Sequence, residues 1–124
     1  MVCFAGDGDF QMTSQELATA RQHGAEPIVL ILDNGIYGTI RAHQERHYPG
    51  RVSGTAMLSP DFAALAAAYG MHGERVERTE DFPAAFERAR TSKTGAVLAL
   101  VISEEALTPR MTLSQIRDAG RARA

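Results

Sequence analysis

The sequence predicts an α/β domain with a mainly parallel sheet and helices on both faces, a three-layer α/β/α arrangement. Three observations lead there. Short apolar runs alternate with amphipathic stretches along the chain. Two of those runs, Ile28 to Leu32 and Ala96 to Ile102, are apolar at every position, as strands covered on both faces must be. Glycine, proline and Asx residues gather between the runs and not within them.

In chain order, Val2 to Ala5 reads as a strand, buried like its successors and ended by Gly6-Asp7-Gly8. Thr13-Ser14-Gln15-Glu16 has the form of a capping box, so a helix is expected to start there, continue through Leu17, Ala20 and Arg21, and stop at Gly24. Ile28 to Leu32 is the second strand, halted by Asp33-Asn34-Gly35. Residues 39 to 47 suit a helix in which Ile40 is the one strongly apolar side chain, and Pro49-Gly50 and Gly54 mark a loop. Ser59-Pro60 reads as an N-cap followed by proline in the first turn; Phe62, Leu65, Ala66 and Tyr69 then recur at helical spacing up to Gly70. Glu74 to Glu77 is a weak strand. Phe82, Ala85, Phe86 and Ala89 form the apolar core stripe of a helix that starts near Thr79 or Asp81. Ala96 to Ile102 is the last strand, apolar throughout and therefore central. A helical segment over Leu113 to Ala119 precedes a basic end, and the domain is expected to span 1–117, with 118–124 a frayed tail.

Composition narrows the function classes. The chain has 124 residues, of which 44% are hydrophobic, and a net charge of -2 from 13 basic and 15 acidic side chains. This suits one core, in a chain that buries roughly two thirds of its unfolded surface. No long run of like charge supports binding to nucleic acid or a membrane surface. No apolar stretch reaches the ~18 residues of a membrane span, no signal peptide is evident, and a cytoplasmic location is the expectation. The single cysteine, Cys3, has no internal disulfide partner and reads as a small buried hydrophobe.

Two turns carry chemistry. Gly6-Asp7-Gly8 and Asp33-Asn34-Gly35 each follow the C-terminal end of a strand, the edge where parallel sheets bind ligands. Strand, helix and strand between them fit one βαβ unit, and neighbouring strands lie about 5 Å apart, so Asp7 and Asn34 are expected to converge. A carboxylate plus an amide oxygen is a hard-oxygen donor set suited to Mg²⁺ that shares its shell with phosphate. The glycines permit close backbone approach, and the helix capped by Thr13 would add free N–H groups. Taken singly, each turn is an ordinary one.

Gly6-Asp7-Gly8, residues 9–33 and then Asn34 together resemble the thiamine-diphosphate-binding motif of the 2-oxo-acid decarboxylase and acetolactate synthase superfamily. The likeness extends through Phe10-Gln11-Met12-Thr13-Ser14-Gln15-Glu16-Leu17-Ala18-Thr19-Ala20, through Asn34-Gly35-Ile36-Tyr37-Gly38-Thr39-Ile40-Arg41 and to Thr108-Pro109-Arg110, which resemble the acetolactate-synthase-like branch. It covers the chain to about Arg117 and is far more specific for cofactor and fold than for substrate. The fold it implies is the thiamine-diphosphate-binding fold of a C-terminal, diphosphate-binding domain.

The resemblance implies roles residue by residue. Asp7 and Asn34 would give side-chain oxygens, and Ile36 its carbonyl, to a Mg²⁺ that bridges the phosphates of thiamine diphosphate. Gly6 opens the motif, Gly8 and Asp9 would offer backbone N–H groups, and Tyr37 and Gly38 would close over the diphosphate. Met12 would pack near the cofactor. Thr39 and Ile40 match substrate-facing positions, Ile40 being closer to acetolactate synthases than to decarboxylases with a Glu there. Asp33, where many relatives have Asn, and Asp9, whose carboxylate must point away from a diphosphate, depart from the common pattern.

Relatives are several times longer and build each site between two domains, usually of two subunits. The Glu that activates the cofactor belongs to a pyrimidine-binding domain, upstream of anything in this sequence. The expectation is therefore the C-terminal module of a homo-oligomeric lyase or transferase acting on a small 2-oxo acid, inactive alone, partnered by that pyrimidine-binding domain. The alternative is a truncated or split-gene interaction module that folds without holding cofactor.

Other motifs are weaker. His43-Gln44-Glu45-Arg46-His47 lacks the Glu that metalloproteases place directly after the first His, and reads as a solvated helix face. His23 and His72 read as surface or helix-capping residues. Ser14, Ser53 and Ser103 lack a nucleophile-elbow context. A nucleotide-binding GxGxxG fails at Gln11.

Overall fold

The computed structural model describes residues 1–123. Its elements are β1 (Val2–Gly6), α1 (Asp7–Thr13), α2 (Glu16–Gln22), β2 (Ile28–Asp33), α3 (Gly38–His47), α4 (Phe62–Ala68), β3 (His72–Val76), a 3-10 turn (Thr79–Asp81), α5 (Phe82–Thr91), β4 (Ala96–Val101) and α6 (Leu113–Arg121). They pack as two compact units. Met1–Asp33 with Ser59–Val101 form the first, and Asn34–Leu58 with the segment from Ile102 onward form the second.

The first unit holds the sheet, all parallel, in the order β1-β2-β4-β3. Strand alternation splits its side chains between two cores. Val29, Ile31, Val97 and Ala99 face Phe10 of α1, Leu17 of α2, and Phe62 and Ala66 of α4. Leu30, Ala96, Leu98 and Val76 face Ala85 and Ala89 of α5. Each fully buried Leu, Ile, Val or Phe contributes roughly 1.5–3 kcal/mol relative to exposure. Phe10 and Phe62 meet edge to face at 5.6 Å, which adds about 0.5–1.5 kcal/mol. The expected three-layer α/β/α fold is what forms, with β4 inside the sheet.

Several local expectations are corrected. β1 is an edge strand: Val2, Cys3 and Phe4 are exposed, Phe4 at 70%, so neither the strand nor Cys3 is buried. An apolar run alone does not tell a central strand from an edge one. No helix starts at Thr13, which instead ends α1. That helix begins directly at Asp7, because Gly6 is extended (ψ 158) and its N–H is taken by the Asp9 carboxylate at 3.2 Å. The Asp9 side chain thus folds back on its own turn. Gly24 (φ 67) and Gly70 (φ 70) stop α2 and α4 as expected. Asp61, not Ser59, caps α4, accepting from the Ala64 N–H at 2.9 Å. The third strand starts earlier than read, at His72, whose ring lies 3.3 Å from Glu74 and caps no helix.

The second unit joins α3 and α6. Gly120 brings them close: a Cβ there would lie 2.5 Å from the carbonyl oxygen of Glu45. α6 runs past the expected Ala119 to Arg121. Thr112 caps α6 and Gln115 returns the bond, a full capping box. His43 and His47 are exposed as expected, but Glu45 between them is not. It is 1% exposed and is held by Arg41 (3.1 Å), Arg117 (3.0 Å) and the Gly50 N–H (2.7 Å). Gln44 ties the following loop to the helix, donating to the Ser53 carbonyl at 2.7 Å and accepting from Thr55 Oγ1 at 3.5 Å.

Candidate functional site

β1 and β2 run side by side, with Gly6 opposite Leu32, so their C-terminal ends deliver Asp7 and Asp33 to one edge of the sheet. Both carboxylates are buried, at 3% and 8% exposure. Buried charge requires partners. Asp7 Oδ1 accepts the Gly8 N–H at 2.9 Å, and Asp7 Oδ2 lies 3.3 Å from the Ser59 hydroxyl. The same hydroxyl is 2.8 Å from Asp33 Oδ1. Arg75 of β3 reaches to 3.7 Å from Asp33 Oδ2, its guanidinium held mainly by Glu77 at 2.9 Å. The Glu77 bond comes first among the causes that raise the pKa of Arg75, with Asp33 and Asp61 adding to it. Gln11, one turn on, bonds the Asp7 carbonyl at 3.3 Å.

The sequence gives no short-range sign of Ser59. It caps nothing, and it matters because the chain returns before α4 to the edge where β1 and β2 end. The one available signal is positional: loops at that edge of a parallel sheet carry ligand-binding groups.

The second unit carries the Asn34 group. Asn34 Oδ1 accepts the Ile36 N–H at 3.2 Å, an Asx turn, and uses one of the two lone pairs of an amide oxygen. Ile36 is buried and bridges Ala56; the Met57 N–H donates to the Gly35 carbonyl and the Tyr37 N–H to the Thr55 carbonyl. Gly35 sits at φ 67, where a side chain is strained. A Cβ on Gly38 would lie 2.7 Å from Leu107 Cδ2, a side-chain tip that would have to shift, and 3.3 Å from Asn34 Nδ2.

Of the residues singled out from sequence, Gly6, Asp7, Gly8 and Asp9 form one turn of the first unit, and Asn34, Ile36, Tyr37 and Gly38 form one turn of the second. Met12, Thr39 and Ile40 are exposed in neither hydrogen-bonded group, with Met12 at 72% and Ile40 at 55%. The donor types of each turn suit a small hard cation: a buried carboxylate in the first unit, and an amide oxygen with main-chain carbonyls in the second.

Comparison with known proteins gives consistent results. Residues 1–100 match the family described as thiamine pyrophosphate enzyme, C-terminal TPP binding domain. The acetolactate synthase large subunit of Haemophilus influenzae is 38% identical over 98 residues, covering 78% of this chain and 17% of that protein. The acetolactate synthase isozyme 3 large subunit of Escherichia coli is 35% identical over 125 residues, covering 97% of this chain and 21% of that protein. Among solved structures, benzoylformate decarboxylase from Polynucleobacter necessarius superposes with a TM-score of 0.78 at 29% identity, over 87% of this chain and 20% of that one. The chain spans about a fifth of the length of the relatives it matches. No helix among the described residues is long and apolar enough to cross a membrane.

Proposed function

The chain belongs to the C-terminal TPP-binding domain family of thiamine pyrophosphate enzymes, within its acetolactate-synthase-like company, and from that premise we propose that it is the diphosphate- and Mg²⁺-holding module of an enzyme acting on 2-oxo acids. Asp7, Asn34 and the Ile36 carbonyl hold the cation. Gly6 and Gly8 keep the first turn open, the Gly8 and Asp9 N–H groups face the diphosphate, and Tyr37 and Gly38 close on it. The Gly8 N–H, spent on Asp7 in this structure, is the donor that must turn. Met12 packs beside the cofactor, and Thr39 and Ile40 face the substrate.

The supporting observation is the buried Asp7, set beside the buried Asp33 at adjacent strand ends in a chain that matches the family over residues 1–100. Thiamine diphosphate, when bound, supplies the electron sink for chemistry at the carbonyl of a 2-oxo acid. This chain contributes anchoring and charge neutralisation. The activating Glu and the grip on the pyrimidine ring come from a pyrimidine-binding domain of another subunit, in a cytoplasmic homo-oligomer. Alone, the chain is inactive.

Two measurements test this. Titrating thiamine diphosphate with Mg²⁺ into the chain should release heat that Asp7→Ala abolishes; no heat at millimolar ligand would favour a folded module that does not hold cofactor. Adding pyruvate should give no decarboxylation, and appreciable turnover would refute the inactivity of the lone chain.

A further inference from the structure

Ser59 touches two buried carboxylates with a hydroxyl that has only one proton to give. Its oxygen lies 2.8 Å from Asp33 Oδ1 and 3.3 Å from Asp7 Oδ2. The shorter contact is an ordinary O–H···O distance and the longer one is stretched. Asp33 has a second source of positive charge, Arg75 at 3.7 Å from its other oxygen. Asp7 instead lies in the first turn of α1, with its Oδ1 fixed by the Gly8 N–H. The two carboxylates are therefore not equivalent. One is tied toward Arg75, and the other is held at Oδ1 by the Gly8 N–H and at Oδ2 by Ser59.

We infer that Ser59 is a positioning residue for the Asp7 carboxylate. Its hydroxyl, anchored on Asp33 Oδ1, holds Asp7 Oδ2 both before and after a divalent cation is taken, so a buried carboxylate keeps a fixed aim with and without metal. Asp33, held by Ser59 and Arg75, then stays an acceptor and does not compete for the cation. This inference rests on the proposed role of Asp7 as a metal ligand. All four residues lie in the first unit.

The test uses the full chain with thiamine diphosphate and Mn²⁺ in place of Mg²⁺, reading free Mn²⁺ by electron paramagnetic resonance. Ser59→Ala should weaken Mn²⁺ uptake about tenfold, at the low end for groups that orient metal ligands. Ser59→Thr should restore it and Ser59→Val, matched in shape but lacking the hydroxyl, should not. That pair also serves if the alanine variant fails to fold. Mn²⁺ uptake by folded Ser59→Val equal to that of Ser59→Thr would overturn the assignment. A second readout needs no metal: the Gly8 amide resonance and the Asp7 carboxyl carbon shift should both move in Ser59→Val and return in Ser59→Thr. Wild-type chain that takes up no Mn²⁺ would count against the proposed function. The positioning role would then be decided by the metal-free shifts alone, and shifts identical in the two variants would overturn it.

Discussion

Arg117 on α6 brings its Nε to 3.0 Å from Oε1 of Glu45 on α3, a carboxylate with 1% of its side chain exposed. Burial pushes the Glu45 pKa up, but the Gly50 N–H, Arg117 and Arg41 together outweigh it, and the carboxyl titrates below its ordinary value of 4.5. A depressed folded-state pKa means that Glu45 contributes stability fully above its unfolded value, and that this is lost as pH falls through the lower folded value. Glu45→Ala should destabilise the protein by about 3 kcal/mol at pH 7, since two arginines lose their buried counter-ion. Urea unfolding at pH 7 and again well below pH 4.5, past the lowered folded-state value, checks both points. Equal losses at the two pH values would contradict the ionic account.

The two acidic residues at the sheet edge should separate cleanly. Asp7→Ala should abolish Mg²⁺-dependent binding of thiamine diphosphate, because the phosphates lose their cation. Asp33→Asn should be tolerated: the amide oxygen can still accept from Ser59, and the Arg75 pair, half exposed, is worth at most about 1 kcal/mol. Calorimetric titration of both variants checks this. Binding lost in Asp33→Asn and kept in Asp7→Ala would reverse the assignment.

Gly73 of β3 passes under α4 so closely that an added Cβ would overlap the Ala63 carbonyl oxygen and lie 2.9 Å from the Ala63 Cα. Neither backbone can yield easily. Gly73→Ala should cost about 3 kcal/mol, the upper end of typical overpacking, seen as a lowered urea midpoint with unchanged slope. A neutral substitution would mean that α4 slides on the sheet.

Ligand linkage offers a test without mutagenesis. Mg²⁺ and thiamine diphosphate at about a hundred times their dissociation constant should raise stability by about 2.7 kcal/mol, and EDTA should reverse the gain. Thermal melts with each component alone should show far less. A shift given equally by Mg²⁺ alone would point to a cation effect unrelated to the cofactor.

Fold and site were legible to different depths in the sequence. The two wholly apolar runs identified β2 and β4 nearly to the residue, because parallel strands covered on both faces need apolar side chains at every position. Phe62, Leu65 and Ala66 identified α4 by recurring at helical spacing. The turns Gly6-Asp7-Gly8 and Asp33-Asn34-Gly35 were legible as the ends of β1 and β2, since glycine and Asx residues break an apolar run. What failed depended on nonlocal geometry. Thr13 to Glu16 spells a good cap, but Gly6 caps a helix seven residues earlier that Thr13 ends, and α2 starts at Glu16 without a side-chain cap. Ser59 spells a cap and instead serves two aspartates whose β1–β2 pairing no local window contains. Glu45, in a polar stretch, is buried because Gly120 lets α6 come within contact of α3.

The outer side of β1 has a practical consequence for handling the protein. Among the described residues β1 has a single strand neighbour, and Phe4 stands 70% exposed on it. An open strand edge beside an exposed aromatic ring is a template onto which further strands can crystallise or fibrillise. Concentrated solutions should scatter light progressively, and Phe4→Lys, a charge of the kind that blunts natural sheet margins, should keep them clear without moving the melting temperature by more than about 2 °C.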